Sequence, residues 1–416
     1  MCFLEVNMFE ESKKKFERYG IDVEKALESL AKASISVHCW QGDDVIGLQN
    51  GGALTGGIQA TGNYPGRARN FDELKADIDF AFSMMPGTKR LNLHAIYGVS
   101  EKPVSMDEIS IKEFEPWMAW AKENGVALDF NPTFFSNPMV KDGFTLSSPD
   151  EEVRSFWVKH GKACRAIAAE FGKRQGSPSL CNVWIPDGLK DVPADRLGPR
   201  MRLKKSLDEI YSVKYSKDVI MDAVESKVFG IGLESYTVGS SEFYQNYAAL
   251  NGIYCLMDNG HYHPTENVAD KIPSLLCFYP KIALHMTRPV RWDSDHVVIK
   301  DDTMQDICNE IVRCDAIEKV VMGLDYFDAS INRIAAWVIG QRSVQKCLLQ
   351  ALLTPWTELK KLQDAGDFTH LLELEERVKD LPFSDIWSEY LKRQGMDEEI
   401  MPKIDEYEKN VLKKRG

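Results

Sequence analysis

The chain has 416 residues, 44% of them hydrophobic, which is enough for one large barrel or for two to three average domains. Its formal net charge of −12 argues against binding of nucleic acids, because contacts to phosphates require clustered lysine and arginine. The nine cysteines contain no CxxC pair, which is typical of free thiols in a reducing compartment. We find no signal peptide and no apolar run near the roughly 18 residues of a membrane span, so we expect a cytoplasmic protein without membrane contacts.

Short runs of β-branched and aliphatic residues alternate with helical patterns along most of the chain. Strands that alternate with helices indicate a parallel sheet, and eight such units predict an α/β fold of the (β/α)8 TIM-barrel type. The predicted strands lie at 35–38, 91–96, 127–131, 180–185, 219–224, 252–257, 282–286 and 319–324.

Helix-capping signals support the helices between these strands. Asn70, with Glu73 three residues later, has the spacing of a capping box. Ser148 is a predicted N-cap, Pro149 would take the first helical position, and Gly172 lies near the predicted end of the same helix.

The two ends of the chain are predicted to be helical. The first 30 residues have the pattern of one helix, and no further strand is predicted after about residue 329. No linker rich in glycine, serine or proline separates these parts, so we expect both to pack on the barrel. The predicted organisation is a helical segment at 1–30, a barrel with the functional site at 31–328 and a helical C-terminal extension at 329–416.

Polar residues collect where the predicted strands end, which is where TIM barrels carry their active sites. Taken singly, a histidine in an apolar run is more often a hydrogen-bonded core residue, and an aspartate is more often a helix cap. Together, carboxylates and imidazoles at one barrel mouth predict a site for Mn²⁺, Mg²⁺ or Co²⁺. The polar groups at the strand ends are His38, His94, Asp129, Asn131, Trp184, Asp187, Glu225, Lys227, Asp258, His261, His263, His285, Asp293, Asp295, His296 and Asp325.

Two further motifs leave alternatives open. The glycine-rich stretch "NGGALTGGIQATGNYPG" at 50–66 is either a lid over the barrel mouth or an ordinary long loop. The "HYH" motif at 261–263 is similar to the metal-binding HxH motif of amidohydrolases. It follows the sixth predicted strand instead of the first, which argues against that class.

Sequence blocks over nearly the whole chain resemble the L-rhamnose isomerase family, whose members share the xylose-isomerase-like barrel. The resemblance implies reversible conversion of L-rhamnose to L-rhamnulose in sugar catabolism, by a cytoplasmic homotetramer that depends on Mn²⁺. Co²⁺, Mg²⁺ and Zn²⁺ are alternatives at the structural metal site. Among these blocks are "VHCWQGDDV", "LTGGIQATGNYPG", "DAVESK", "GHYHPTE" and "RPVRWDSDHVV".

The family's functional residues carry over position by position, without a departure. A tightly held metal site is implied at Glu225, Asp258, His285 and Asp325. A second, catalytic metal site is implied at His261, Asp293 and Asp295, with Glu225 shared. The implied catalytic residues are Lys227, His261 and Asp325. The implied sugar-binding residues are His94, Trp184, Lys227 and Asp293.

Sugar isomerisation can proceed by a hydride shift or through an enediol, and we favour the hydride shift because no spare carboxylate base is evident. For the methyl group at C6 of the sugar we expect apolar contacts from Val45, Leu48, Leu54 or Ile58. Three alternatives remain: another metal-dependent sugar isomerase or epimerase, a hydrolase or nuclease, and a sugar-binding protein without activity. A nuclease would need a basic barrel mouth, and loss of Lys227 would have favoured the binding protein.

Overall fold

The computed structural model describes residues 8–49, 59–230 and 232–415. Its centre is a closed barrel of eight parallel strands, each paired with its neighbours along the chain, with the last paired to the first. This confirms the predicted TIM barrel. The strands are β1 (Ile35–His38), β2 (Lys89–His94), β3 (Ala127–Asn131), β4 (Ser179–Val183), β5 (Ile220–Glu225), β6 (Tyr254–Asp258), β7 (Ile282–Met286) and β8 (Val320–Leu324).

Fourteen α-helices lie within the described residues, and none of those is long and apolar enough to cross a membrane. A short antiparallel pair, Gly188–Leu189 with Tyr236–Thr237, lies outside the barrel. The helices are α1 (Met8–Glu17), α2 (Val23–Lys32), α3 (Phe71–Phe82), α4 (Glu115–Asn124), α5 (Glu151–Gln175), α6 (Gly198–Ile210), α7 (Ser241–Asn251), α8 (Lys271–Leu276), α9 (Asp302–Arg313), α10 (Arg333–Leu352), α11 (Trp356–Asp364), α12 (Phe368–Lys379), α13 (Phe383–Arg393) and α14 (Met401–Asn410).

One half of the barrel interior is apolar. Successive side chains of a strand point to opposite faces, so alternate residues of each strand point into the barrel. Inward positions two residues beyond this apolar layer are Glu225, Asp258 and His285, and the barrel geometry therefore directs them to the mouth. The layer consists of Leu180, Met221, Ala223, Tyr254, Leu256 and Ala283, with Val321 packed against it.

The other half of the interior, formed by β1 to β3, is polar. Arg90 and Asp129 form a buried ion pair with 2.6 Å between Nη2 and Oδ1, and Ser36 Oγ donates to the same carboxylate at 2.7 Å. Asn92 Nδ2 donates to Asn131 Oδ1 at 3.2 Å. Asp129 was predicted to lie at the barrel mouth, but it lies deeper, within this paired interior layer. It stands opposite Asn92 of β2, on the inward face that also carries Arg90.

The N-terminal ends of two helices differ in detail from the prediction. At α3, Asn70 Oδ1 accepts from the Glu73 N–H at 3.0 Å, but the Glu73 carboxylate accepts from the Arg69 N–H, so only half of the capping box forms. At α5 the N-cap is Asp150, not Ser148. Ser148 Oγ instead accepts from the Asp150 N–H at 3.2 Å, one turn before the helix.

Helix α5 continues beyond the predicted end. Its C-cap is Gly176, in the left-handed region with φ of 71°, where glycine carries no side-chain penalty. Gly172 lies inside the helix and faces the backbone of Val219, just before β5. A glycine is needed there for close packing of helix and strand, which a single sequence does not distinguish from a helix end.

The predicted terminal segments also have more structure than expected. The first segment forms two helices, α1 and α2, because Gly20 adopts a φ of 75° between them and Asp22 caps α2. Helix α10 packs against α9 and α3, so it completes the ring of helices around the barrel. Part of the predicted C-terminal extension is therefore integral to the barrel wall, and the domain boundaries themselves stay predictions.

We expect Gly172→Ala to destabilise the fold, because the added Cβ would lie 1.7 Å from Val219 O. Overpacking of this kind costs about 2–3 kcal/mol. The matched control is Gly176→Ala, where nothing lies within 4 Å and only left-handed strain of about 1 kcal/mol is added. Thermal melting of both variants measures the difference, and equal losses would contradict the packing argument.

Candidate active site

The carboxyl ends of the strands surround a cavity of about 280 Å³. Polar and ionisable side chains form one part of its wall, and aromatic and aliphatic side chains form the rest. Most of the predicted site residues line it: His94, Asn131, Trp184, Glu225, Lys227, His261, Asp293, Asp295, His296 and Asp325.

Four predicted metal ligands form one compact group at the floor of this cavity. One ligand atom from each of Glu225, Asp258, His285 and Asp325 lies within 4.8 Å of those of the other three. His285 Nδ1 is 3.3 Å from Glu225 Oε2 and 3.3 Å from Asp325 Oδ2. The four residues stand at the ends of the consecutive strands β5 to β8, so the parallel register of the barrel brings them together.

Several polar atoms of this group are buried and have no partner in hydrogen-bond geometry, although some lie at ion-pair distance from one another. They include both ring nitrogens of His285, Oδ2 of Asp258 and Oε1 of Glu225. Burying such groups unpaired is costly, and proteins retain them where another ligand satisfies them. Carboxylate oxygens and an imidazole nitrogen that converge on one point are a donor set that divalent cations accept. The residues therefore fit a divalent metal ion.

The electrostatics of the mouth support the same conclusion. Burial raises the pKa of Asp258 to about 8; the charge of His261 opposes this shift, and the charges of Glu225 and Asp325 add to it. Burial alone would lower the pKa of His285, but Glu225 and Asp325 raise it well above its ordinary value. The negative charge of Glu225 and Asp325 therefore acts on both groups, and a bound cation would neutralise it.

The second predicted set lies beside the first. His261 Nδ1 is 3.1 Å from Glu225 Oε1, and its Nε2 is 3.3 Å from Asp293 Oδ2. Lys227 Nζ donates to Asp293 Oδ2 and lies 3.5 Å from His261 Nε2. The protein's own ammonium group thus neutralises this set in part, whereas no lysine or arginine among the described residues forms an ion pair with the four-residue group.

Two side chains orient the carboxylates of Glu225 and Asp325, each by donating a hydrogen bond to one carboxylate oxygen. Asn182 Nδ2 donates to Glu225 Oε2 at 2.5 Å, and Trp40 Nε1 donates to Asp325 Oδ1 at 2.9 Å. The sequence analysis assigned no role to Asn182 or Trp40. Asn182 lies on β4, two residues before Trp184. Alternate residues point to the same face, so this spacing is the sequence signal that could have identified Asn182.

Besides Asp129, three predicted mouth residues lie away from the site. Asp187 is buried and accepts from the backbone and hydroxyl groups of Thr145 and Ser147, so it ties two loops together. His38 is fully buried, with its ring 4.4 Å from that of Tyr326. His263 is exposed and contacts Thr265, so only His261 of the "HYH" motif faces the site.

The apolar part of the wall agrees only in part with the predicted contacts to C6. Val45 lines the cavity, whereas Leu48 packs against the core and donates its N–H to Ile96 O at 2.7 Å. Leu54 and Ile58, like most of the predicted lid, lie outside the described residues. Aromatic residues that the sequence analysis did not assign complete the wall: Phe135, Trp292 and Phe327.

A model of the L-rhamnose isomerase family matches residues 4–415. The chain belongs to the L-rhamnose isomerase family. It is therefore an aldose–ketose isomerase that interconverts L-rhamnose and L-rhamnulose, as the sequence analysis predicted.

The curated relatives agree with this family. The chain is 54% identical over 411 residues to an L-rhamnose isomerase of Escherichia coli (strain SMS-3-5 / SECEC), and 53% identical to that of Enterobacter sp. (strain 638). Each alignment covers 98% of both chains. An L-ribulose 3-epimerase structure aligns with a TM-score of 0.49 at 10% identity, over 76% of this chain and 95% of that one.

We expect Mn²⁺ to raise the melting temperature of the chelator-treated isomerase, because a ligand that binds only the folded state stabilises it by about 2.7 kcal/mol at 100 times its Kd. Asp258→Asn should lose most of this increase, since Asp258 belongs to the four-residue group. Asp293→Asn should keep most of it.

His263→Ala is the control, because His263 is exposed and does not line the cavity. Metal content by elemental analysis, together with melting curves at several Mn²⁺ concentrations, measures the effect. Equal losses in the Asp258 and Asp293 variants would contradict a division into two metal sites.

Proposed function

We propose that the isomerase is Mn²⁺-dependent and binds two ions, with Co²⁺, Mg²⁺ or Zn²⁺ as alternatives at the structural site. The observation that carries the proposal is the convergence of unpaired buried donor atoms at the cavity floor. The proposed structural ligands are Glu225, Asp258, His285 and Asp325. The proposed catalytic ligands are His261, Asp293 and Asp295, with Glu225 shared.

The reaction moves one hydrogen from C2 to C1 of the sugar and one proton from O2 to O1. When bound, a divalent ion would supply Lewis-acid polarisation of the sugar's oxygens. Lys227 is the proposed electrostatic partner of the reacting carbonyl oxygen. Burial alone would lower its pKa, but Asp293 and Asp295 raise it, so its ammonium group stays charged at neutral pH.

We assign sugar binding to His94 and Trp184. Burial lowers the pKa of His94 to about 4, so its ring is neutral at pH 7. Its Nδ1 lies 3.2 Å from Thr133 Oγ1, which leaves Nε2 for a sugar hydroxyl. Trp184 Nε1 is buried without a partner, and its ring lies 6.5 Å from that of His261 in a stacked arrangement. An indole face covers C–H groups of a sugar while its N–H donates to a hydroxyl.

We propose a hydride shift between C1 and C2. Three of the five carboxylates at the mouth already face a histidine or a lysine: Glu225 faces His261 and His285, Asp293 faces Lys227, and Asp325 faces His285. These neighbours weaken the basicity of the carboxylates, and Glu225 and Asp293 have pKa values below their usual range for this reason. The other two, Asp258 and Asp295, are proposed metal ligands. His261 and Asp325 are then assigned to orienting the reacting hydroxyl groups.

We expect Lys227→Met to reduce kcat for L-rhamnose by about 100- to 1,000-fold, the usual loss when one preorganised charge-stabilising donor is removed. KM should change much less, because the donor acts mainly in the transition state. L-rhamnulose formation by metal-loaded protein measures both constants, with Lys360→Met as a control at an exposed lysine ion-paired to Asp364. An unchanged kcat in Lys227→Met would remove Lys227 from the catalytic residues.

We propose that the enzyme is a cytoplasmic homotetramer. The eight cysteines of the described residues are all free thiols, which supports a reducing compartment. The apolar runs "AAWVIG" and "LLQALL", from which the sequence analysis predicted an interface, are largely buried against the chain's own barrel. Support comes instead from α12, which has no buried residue although Phe368 and Leu372 are apolar and exposed.

We expect light scattering at micromolar concentration to give four times the 47.2 kDa of one chain. Phe368→Glu combined with Leu372→Glu should lower this mass, because charges in an apolar interface oppose association. The control replaces the exposed Glu376 of the same helix by Gln. A wild-type particle of one chain mass would contradict the proposed tetramer.

A further inference from the structure

C-terminal residues of the chain contact the segment 62–66, which directly follows two residues of the cavity wall. Gln59 and Thr61 line the cavity, and the chain then runs through Tyr64 and Gly66 toward α3. This run is covered from outside by the C-terminal residues of the chain. We call the group of Tyr407, Glu408, Leu412 and Arg415 the C-terminal clamp.

Arg415 is the more deeply buried charged residue of the clamp, with 9% of its surface exposed. Its guanidinium group donates to both carboxylate oxygens of Asp77 on α3, at 2.6 and 2.9 Å. It also donates to Gly66 O at 3.1 Å. A bidentate pair fixes orientation as well as distance, so the Gly66 carbonyl is held relative to a rigid barrel helix.

Glu408 connects the same segment to the loop after β8. Its Oε2 accepts from Tyr64 Oη at 2.7 Å and from Asn332 Nδ2 at 2.8 Å. Tyr64 is also bound on its barrel side, where its N–H donates to Ala329 O and its carbonyl accepts from Arg333, both at 2.8 Å. Tyr64 is thus held from two sides, three residues after Thr61.

The backbone at this point leaves no free space. A Cβ at Gly66, whose φ is 88°, would lie 2.4 Å from Leu412 Cβ. A Cβ at Gly62, whose φ is 119°, would lie 2.4 Å from the backbone of Ala329. Both φ values favour glycine, so the segment packs directly against the clamp at Gly66 and against the β8 loop at Gly62.

We propose that the C-terminal clamp positions the sugar pocket: Glu408 and Arg415 hold the segment 62–66 and thereby place Gln59 and Thr61 in the cavity wall. Neither clamp residue touches the cavity, so both are positioning residues. The proposal depends on the assignment of the cavity as the sugar site.

The expected effect is on substrate binding. If loss of one clamp contact leaves the segment in its wall position about a fifth of the time, the apparent affinity for the sugar falls about fivefold. Glu408→Gln, Arg415→Gln and Tyr64→Phe should therefore each raise KM for L-rhamnose about fivefold. The value of kcat should change less than twofold, since the groups at the cavity floor are untouched.

Lys409→Gln is the matched control. Lys409 is exposed on α14, the helix of Glu408, and its change removes one positive charge, as Arg415→Gln does. Kinetics at 25 °C, well below the melting transition, separate positioning from stability. Tyr64→Phe removes the hydrogen bond to Glu408, and Glu408→Gln weakens the same bond by removing the charge of its acceptor. The double variant should therefore raise KM by less than the product of the two single effects.

A lower melting temperature with unchanged KM in the Glu408, Arg415 and Tyr64 variants would overturn the proposal, because it would reduce the clamp to a structural role. Additive effects of Tyr64→Phe and Glu408→Gln would overturn it as well. Thr61→Ala tests whether the sugar contacts this part of the wall. If KM is unchanged in Thr61→Ala but raised in the clamp variants, the sugar does not contact Thr61. The clamp would then act on binding by another path, and the proposal would be overturned.

Discussion

Mutual repulsion of buried carboxylates is the constraint on which the site depends. Glu225, Asp258, Asp293, Asp295 and Asp325 all face one barrel mouth, where the protein supplies Lys227 as the lysine partner. Such a concentration of charge costs several kcal/mol unless cations offset it. The barrel can hold these groups only because its strands are fixed by pairing on both sides, and the same rigidity preorganises them for a divalent ion.

The two halves of the barrel interior differ in the residues that lie below the site. Under strands β5 to β8, which carry the proposed metal ligands, the inward layer is apolar and does not compete for the carboxylates of the site. Under β1 to β3, Arg90 pairs with Asp129 and Asn92 with Asn131. The charges of that layer are therefore balanced, and His94 above it is neutral because burial lowers its pKa.

The C-terminal helices pack around the barrel and against the segment that leads to the cavity wall. Helix α10 closes the ring around the barrel, and α14 with the residues after it contacts the run from Tyr64 to Gly66. A pocket for a small polyol needs its wall fixed to within a fraction of an ångström, because hydroxyl recognition depends on hydrogen-bond geometry. Contacts between remote parts of the chain provide that accuracy.

Period and motif in the sequence determined the barrel and the strands to within two residues of their ends, because strand alternation is a local property. The substrate and the proposed ligand residues came from the resemblance of the motifs to a family. Only the tertiary structure decided which polar residues meet. Asp129 and Asp187 have the same local signals as Asp258, yet they are paired away from the mouth, since their partners Arg90, Thr145 and Ser147 are brought to them by the fold. Gly172 and Gly176 are equally plausible helix ends in the sequence, and the closeness of β5 alone distinguishes a packing glycine from a capping one. The contacts of Arg415 with Asp77 join residues 338 positions apart, a separation over which no local pattern carries information.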